Sequence, residues 1–176
     1  MKLTNNLIGY GLLAKLFHWV TFLVLIIQVP LGFYLVGLEF SDQRIDIENI
    51  HILIGISIFY LVLFRLIWKL ISPAPKHWKE FFKGQSIIAN INHSLLYASI
   101  FTITISGVLK KLYMGEKLNF FIFKYSLKES NFQLADSFYV VHIYANYLLI
   151  ALVLLHIGAV IVHHFFFKDK IIKKML

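Results

Sequence analysis

The stretch of sequence that decides the fold is SFYVVHIYANYLLIALVLLHIGAVIVHHFFF, residues 137–167. It contains no Asp, Glu, Lys or Arg. A helix rises about 1.5 Å per residue, so this stretch is longer than the roughly 30 Å of hydrocarbon in a bilayer. It therefore predicts a transmembrane helix, with Ser137 beside Asp136 as its N-cap.

Three other apolar stretches are long enough to cross a membrane. They cover residues 12–38, 50–71 and 86–112. The chain is 59% hydrophobic and 15% charged, with a mean hydropathy of +0.75, which is outside the range of soluble domains. The sequence therefore predicts an all-α membrane protein, a four-transmembrane-helix bundle in contact with lipid, forming a single domain over residues 1–176.

Lysine and arginine are concentrated near the chain ends and in the connection between the second and third helices. The chain has 17 Lys and Arg against 9 Asp and Glu, a net charge of +8. Because positive segments resist translocation, their distribution predicts that both termini are cytoplasmic. The net charge is then a topology signal, and we expect no nucleic-acid partner. The cations concerned are Lys2, Lys15, Arg65, Lys69, Lys76, Lys79, Lys83, Lys168, Lys170, Lys173 and Lys174.

The chain has no cysteine and eight histidines. Disulfides, thiolate haem ligation and iron–sulfur clusters are therefore excluded. Ionisable side chains inside membrane helices are costly and are functional candidates by default. Histidine is thus the strong metal ligand that remains in the apolar segments.

Four histidines form a pattern across the predicted helices. His142 and His156 are 14 residues apart, so they lie on nearly the same helix face, about 21 Å apart along the axis. His51 matches the depth of His142 near one membrane surface, and His18 matches His156 near the other. These two pairs predict axial ligation of two haem irons by imidazoles on facing helices.

Other interpretations of these histidines have to be weighed. A single histidine near a membrane surface is commonly a hydrogen-bonded interfacial group. Zinc normally takes four protein ligands, or three plus water, whereas each pair supplies two. Gly55 and Gly158 lie close in sequence to His51 and His156, where they allow either a porphyrin or a neighbouring helix to approach.

The remaining histidines are weaker candidates. His163 and His164, at the end of the fourth helix, and His93, at the start of the third, are candidates for hydrogen bonding to a quinone, whose reduction takes up protons. The alternative for each is an ordinary interfacial role. His77, beside Trp78 in a connection, is expected to be solvated.

Several motifs occur in a specific order along the chain: His18–Trp19, IHILIGISI at residues 50–58, Arg65, DSFYVVH at 136–142 and LHIGAVIVHHFFFKD at 155–169. Together they resemble the prokaryotic cytochrome b561 family, small four-helix dihaem cytochromes of the bacterial inner membrane. The resemblance implies two haem b groups, one held by His18 with His156 and the other by His51 with His142. It also implies electron exchange with ubiquinone and oxidation of superoxide at the periplasmic face.

The resemblance suggests a superoxide:ubiquinone oxidoreductase in the bacterial inner (plasma) membrane. The connection between the third and fourth helices has five lysines, and we expect Lys117, Lys124 and Lys128, with Lys110 and Lys111, to steer the superoxide anion. Arg65 would pair with haem propionates or with lipid headgroups.

Two other classes of function stay open at this point. The chain could be a non-catalytic cytochrome b subunit that passes electrons within a larger dehydrogenase or hydrogenase complex, beside a partner redox subunit. It could also be a histidine-based metal transporter or a structural membrane protein. A reduced-minus-oxidised absorption spectrum separates the last two from a cytochrome, because a b-type haem gives a sharp α band.

Overall fold

The computed structural model describes residues 3–6, 9–72, 75, 81–168 and 171–175. Within these ranges the chain forms five helices and one two-stranded hairpin. Their bounds are α1 Leu12–Gly37, α2 Asp42–Ile71, α3 Gln85–Tyr113, β1 Leu118–Asn119, β2 Lys124–Tyr125, α4 Phe132–Phe165 and α5 Ile171–Met175. Helices α1 to α4 are each long and apolar enough to cross a membrane. The predicted four-helix membrane bundle is confirmed, and the two-stranded hairpin is an addition to the all-α class that the sequence predicted.

Some sequence positions discussed above lie outside the described residues. They are His77, Trp78, Lys2, Lys76, Lys79 and Lys170.

Helix α2 begins eight residues earlier than predicted. The side chain of Ser41 accepts a hydrogen bond from the backbone N–H of Arg44 at 3.3 Å, and Asp42 occupies the first turn. Both features stabilise a helix N-terminus. The prediction included only the apolar residues that can lie inside a bilayer. A helix with a capped N-terminus can extend beyond the bilayer into water.

Helix α4 also begins earlier than predicted, at Phe132. Its N-cap is Asn131, whose side chain accepts from the N–H of Leu134 at 3.0 Å. The predicted cap at Ser137 was wrong, because the hydroxyl of Ser137 donates to the carbonyl of Gln133 inside the helix. The helix ends at Phe165, two residues short of the prediction.

The bundle places both chain ends together. Helix α3 packs mainly on α4, and α2 packs on both α1 and α3. The indole N–H of Trp19 donates to the carbonyl of Met175 at 2.8 Å, which brings α5 against the start of α1. We call the end of the bundle with both termini the inner end, and the end that carries residues 114–131 the outer end.

A small apolar core lies halfway along the bundle. It consists of Ile58 and Val62 from α2, Ile100 from α3 and Leu149 from α4. Leu149 is midway in sequence between His142 and His156. The core therefore separates two polar regions, one toward each end.

Candidate functional site

The outer pair consists of His51 on α2 and His142 on α4. Their ring centres are 6.3 Å apart and their planes are inclined at 70°. A ligating imidazole nitrogen lies about 2 Å from its metal and about 1 Å from its own ring centre, so two trans imidazoles have centres about 6 Å apart. The spacing of the outer pair is that of two axial ligands on one iron.

Each ring of the outer pair lies against a glycine on a neighbouring helix. A Cβ at Gly32 of α1 would be 3.1 Å from Cε1 of His51, and a Cβ at Gly107 of α3 would be 3.1 Å from both Cε1 and Nδ1 of His142. Such distances are tighter than ordinary side-chain contacts, so only glycine leaves the rings undisturbed. Neither glycine was identified from the sequence, because the glycine and the histidine of each contact are far apart in the chain.

A backbone carbonyl orients the ring of His142. Its Nδ1 donates to the carbonyl oxygen of Ile103 at 2.8 Å. A neutral imidazole with its proton on Nδ1 has a free lone pair on Nε2. Metal-binding histidines are commonly oriented by this kind of contact, so His142 is in the tautomer that a ligand requires.

A cavity of about 400 Å³ opens beside the outer pair, and both histidines and both glycines line it. Its volume falls in the range of roughly 300–1,000 Å³ typical of ligand pockets. Three lining residues, Gln28, His51 and Asn146, have buried polar side-chain atoms without a hydrogen-bond partner among the described residues. Because buried polar atoms are usually paired, this outer cavity fits a bound group such as haem.

Charged side chains line part of the outer cavity. The Nζ of Lys111 is 3.1 Å from a carboxylate oxygen of Glu48, and the Nζ of Lys110 is 3.8 Å from the same oxygen. Lys111 also pairs with Glu116, and Arg44 donates to the carbonyl of Leu38. Arg44, Lys110 and Lys111 are the Lys and Arg side chains that line this cavity, and they would be available to pair with an anionic group bound in it.

The inner pair consists of His18 on α1 and His156 on α4. Their ring centres are also 6.3 Å apart, with planes inclined at 57°. The spacing again matches two axial ligands. The 14-residue separation on α4 therefore presents one imidazole to each polar region.

The hydrogen bonding of the inner pair differs from that of the outer pair. An Nη of Arg65 lies 2.8 Å from Nδ1 of His18. A guanidinium only donates, so Nδ1 accepts and a neutral His18 keeps its proton on Nε2. If His18 served as an iron ligand through Nε2, it would need the opposite tautomer, and Arg65 would then have to release Nδ1.

Other polar side chains surround the inner pair. The guanidinium of Arg65 lies 5.6 Å from the ring centre of Tyr97, and the ammonium of Lys69 lies 5.0 Å from the same centre. The ring of His93 lies 5.2 Å from that of His156, closer than the ring of His18. His93, predicted as a quinone candidate, thus belongs to this inner cluster.

The two histidines at the end of α4 have different surroundings. The Nε2 of His163 accepts a hydrogen bond from the side-chain amide of Gln85 at 2.8 Å, and its ring contacts Phe81 and Phe167. The exposed ring of His164 lies edge-on to Phe165. A polar group among aromatic rings is a suitable environment for a quinone, which favours His163.

Several predicted residues lie away from the outer cavity. Lys117, Lys124 and Lys128 are exposed and do not line it. A Cβ at Gly55 would make an ordinary 3.5 Å contact with Gln28, and a Cβ at Gly158 would meet no described atom within 4 Å. The close approaches are at Gly32 and Gly107 instead.

In two comparisons with known proteins, the matched region of this chain contains both histidine pairs. A family model described as prokaryotic cytochrome b561 matches residues 9–176. The chain is also similar to cytochrome b561 homolog 2 of Escherichia coli (strain K12), with 28% identity over 180 residues, which cover 100% of this chain and 95% of the relative. The resemblance inferred from the sequence motifs is confirmed.

Proposed function

Because the chain belongs to the prokaryotic cytochrome b561 family, we propose that it oxidises superoxide at its outer end and reduces ubiquinone in the membrane. Family membership and the four apolar helices make it a multi-pass electron-transfer cytochrome of the bacterial inner membrane. The family implies haem b. In this proposal residues 1–176 form one domain with both termini in the cytoplasm.

The observation that carries the proposal is the equal spacing of two histidine pairs at opposite ends of one helix. Both ring-centre distances are 6.3 Å, which supports one haem b at each pair. Haem b supplies reversible one-electron chemistry when bound. His51 and His142 would hold one group, His18 and His156 the other, and the core around Leu149 keeps the two regions apart and dry.

The proposed reaction balances with two superoxide anions for each quinone. Two superoxide anions lose one electron each and become two molecules of dioxygen. One ubiquinone takes up these two electrons and two protons from water and becomes ubiquinol. The chain's contribution is to bind the anion at one end and to guide protons to the quinone at the other.

Charge at the outer end supports superoxide as the substrate. Arg44, Lys110 and Lys111 lie around the outer cavity, and three exposed lysines follow on the loop after α3. Glu48 and Glu116 compensate part of the charge at the cavity. The exposed lysines therefore supply most of the long-range electrostatic attraction for the superoxide anion. Salt screens this attraction only partly when the anion is about 10 Å away.

The surroundings of His163 support a quinone site at the inner end. Gln85 and His163 form a polar pair, and the stacked rings of Phe81 and Phe167, 4.2 Å apart, lie beside it. Histidine can pass a proton near neutral pH, and aromatic walls suit a quinone ring. His164 and His93 remain candidates with less support.

A test of the proposal mixes the purified holoprotein, a ubiquinone analogue and a superoxide source, and follows haem reduction. Replacing Lys117, Lys124 and Lys128 together with Gln should slow reduction by superoxide several-fold, on the order of 10-fold at low salt, and flatten its salt dependence. Reduction by neutral quinol should be unchanged, because an uncharged donor is not steered.

Matched variants separate the parts of this proposal. His163→Ala should slow quinone turnover more than His164→Ala, since only His163 lies in the polar and aromatic cluster. Absence of haem reduction by superoxide would refute the oxidase and leave a quinol-linked carrier or a subunit of a larger complex. Equal rates in the triple variant at every salt concentration would instead refute steering by these lysines.

A further inference from the structure

The outer hairpin carries a strongly apolar tip. Strands β1 and β2 are antiparallel, with Leu118 opposite Tyr125 and Asn119 opposite Lys124. The tip between them reads FFIF, residues 120–123. Three of its side chains are exposed, Phe121 at 57%, Ile122 at 81% and Phe123 at 53%. An exposed cluster of this kind normally marks an interaction site.

Contacts with α2 show how deep this tip lies. The hydroxyl of Tyr60 donates to the carbonyl of Phe120 at 3.2 Å, and the ring of Tyr60 lies 6.3 Å from that of Phe121. Tyr60 follows His51 by nine residues, about 13 Å further from the outer end of the helix. The tip thus reaches at least the level of the outer histidine pair, beside a helix that is long and apolar enough to cross a membrane.

The side chain of Phe120 supports the same depth. It lines an apolar cleft between α2 and α3 together with Ile56, Phe59 and Val108. Ile56 and Val108 also line the outer cavity. A single layer of side chains therefore separates the hairpin tip from the outer histidine site.

Three backbone N–H groups of the tip are paired within the hairpin. The N–H of Phe120 donates to the carbonyl of Phe123 at 2.8 Å, and the N–H of Ile122 donates to the carbonyl of Phe120 at 2.9 Å. The N–H of Phe121 donates to the side chain of Asn119 at 3.1 Å. Internal pairing of these three N–H groups lowers the cost of placing the tip in apolar surroundings.

We propose that residues 120–123 are inserted into the outer leaflet and contact phospholipid acyl chains. The depth of Tyr60, the exposure of the apolar side chains and the internal pairing of the tip all support lipid as the occupant. The inserted tip closes the α2–α3 side of the outer cavity against lipid.

The absence of cysteine in the chain makes a direct test practical. Ile122→Cys and Lys128→Cys are each labelled with bimane and reconstituted, as full-length holoprotein, in vesicles of phosphatidylcholine and phosphatidylglycerol. Phosphatidylcholine brominated at mid-chain should quench the label at position 122 several-fold more than the label at 128. Aqueous iodide should show the reverse order.

The matched position, Lys128, is an exposed residue of the same loop that lies outside the apolar tip. Phe123→Cys provides a second reporter with the same expected quenching, should Ile122→Cys fail to fold. Strong iodide quenching at 122 without an effect of brominated lipid would overturn the proposal. Protection from both quenchers would overturn it too, because the tip would then be covered by protein. Neither readout depends on superoxide or quinone.

Discussion

The outer and inner histidine pairs have the same spacing but differ in what holds their rings. The rings of His51 and His142 lie against Gly32 and Gly107, and a backbone carbonyl orients His142. In the inner pair, Arg65 donates to the ring nitrogen of His18. The outer pair is thus held by close packing and the inner pair by an exchangeable polar contact.

This difference has a consequence for how each pair binds haem. Close-packed positions resist displacement, so the outer imidazoles would need little rearrangement to act as the proposed iron ligands. At the inner pair, the proposed ligation by His18 through Nε2 would first require Arg65 to release its hydrogen bond to Nδ1. We expect haem binding at the outer site to be sensitive to changes in side-chain volume. We expect the haem potential at the inner site to be sensitive to changes in charge.

The largest expected effect comes from removing one ligand at a time. His142→Ala should eliminate the outer haem and His156→Ala the inner one, because each substitution removes an axial bond to a different iron. Pyridine haemochrome analysis should give about half the wild-type haem per protein in each variant. Retention of both haems as bis-histidine centres in either variant would refute the pairing.

A smaller effect is expected from removing the charge of Arg65. Positive charge near an iron favours its reduced state, so Arg65→Met should lower the midpoint potential of the inner haem by on the order of 50–100 mV. The potential of the outer haem should stay the same. Lys69→Met is the matched control, because Lys69 shares the contact with Tyr97 but is not hydrogen-bonded to His18. Redox titration measures the midpoint potentials of both haems. Equal shifts of the inner potential in Arg65→Met and Lys69→Met would contradict a specific role for Arg65.

The smallest expected effect comes from adding one methyl group beside the outer pair. Gly107→Ala should displace the ring of His142 by a few tenths of an ångström and weaken outer haem binding by about 1 kcal/mol, roughly five-fold in affinity. Gly158→Ala, where the new Cβ meets no described atom within 4 Å, should change nothing measurable. The rate of haem transfer to apomyoglobin measures the loss of haem affinity. Similar transfer rates in Gly107→Ala and Gly158→Ala would contradict the packing argument.

The histidine pairing shows how much of the candidate site is readable from the sequence. The separation of His142 and His156 by 14 residues defines their relative depth and face, since helix geometry is regular. The positions of His18 and His51 in other apolar stretches indicate their partners by depth. Their roles as iron ligands stay a prediction, supported by the 6.3 Å spacing of both pairs.

The glycines that contact the histidine rings could not be identified from the sequence in the same way. Gly55 and Gly158 were chosen because they are near histidines in sequence, whereas Gly32 and Gly107 contact histidines from other helices. A glycine in a membrane helix commonly serves helix packing, so its presence in the sequence does not reveal which side chain lies against it. The relative rotation of neighbouring helices decides that.

The loop after α3 shows the same limit. Its lysines suggested a water-exposed basic segment, but its apolar tip returns along α2 as far as Tyr60. Loop composition sets charge, while the path of a loop depends on contacts with helices distant in sequence.

The sequence by itself determined the membrane setting, the four helices, the family and the relative depths of His18, His51, His142 and His156, because hydrophobic length and helical periodicity are local properties. The tertiary structure alone decided which glycines hold the outer rings, that Arg65 contacts His18, and where the hairpin tip lies. Those features depend on how α1 to α4 are rotated against one another, and that rotation is the outcome of all their packing contacts together.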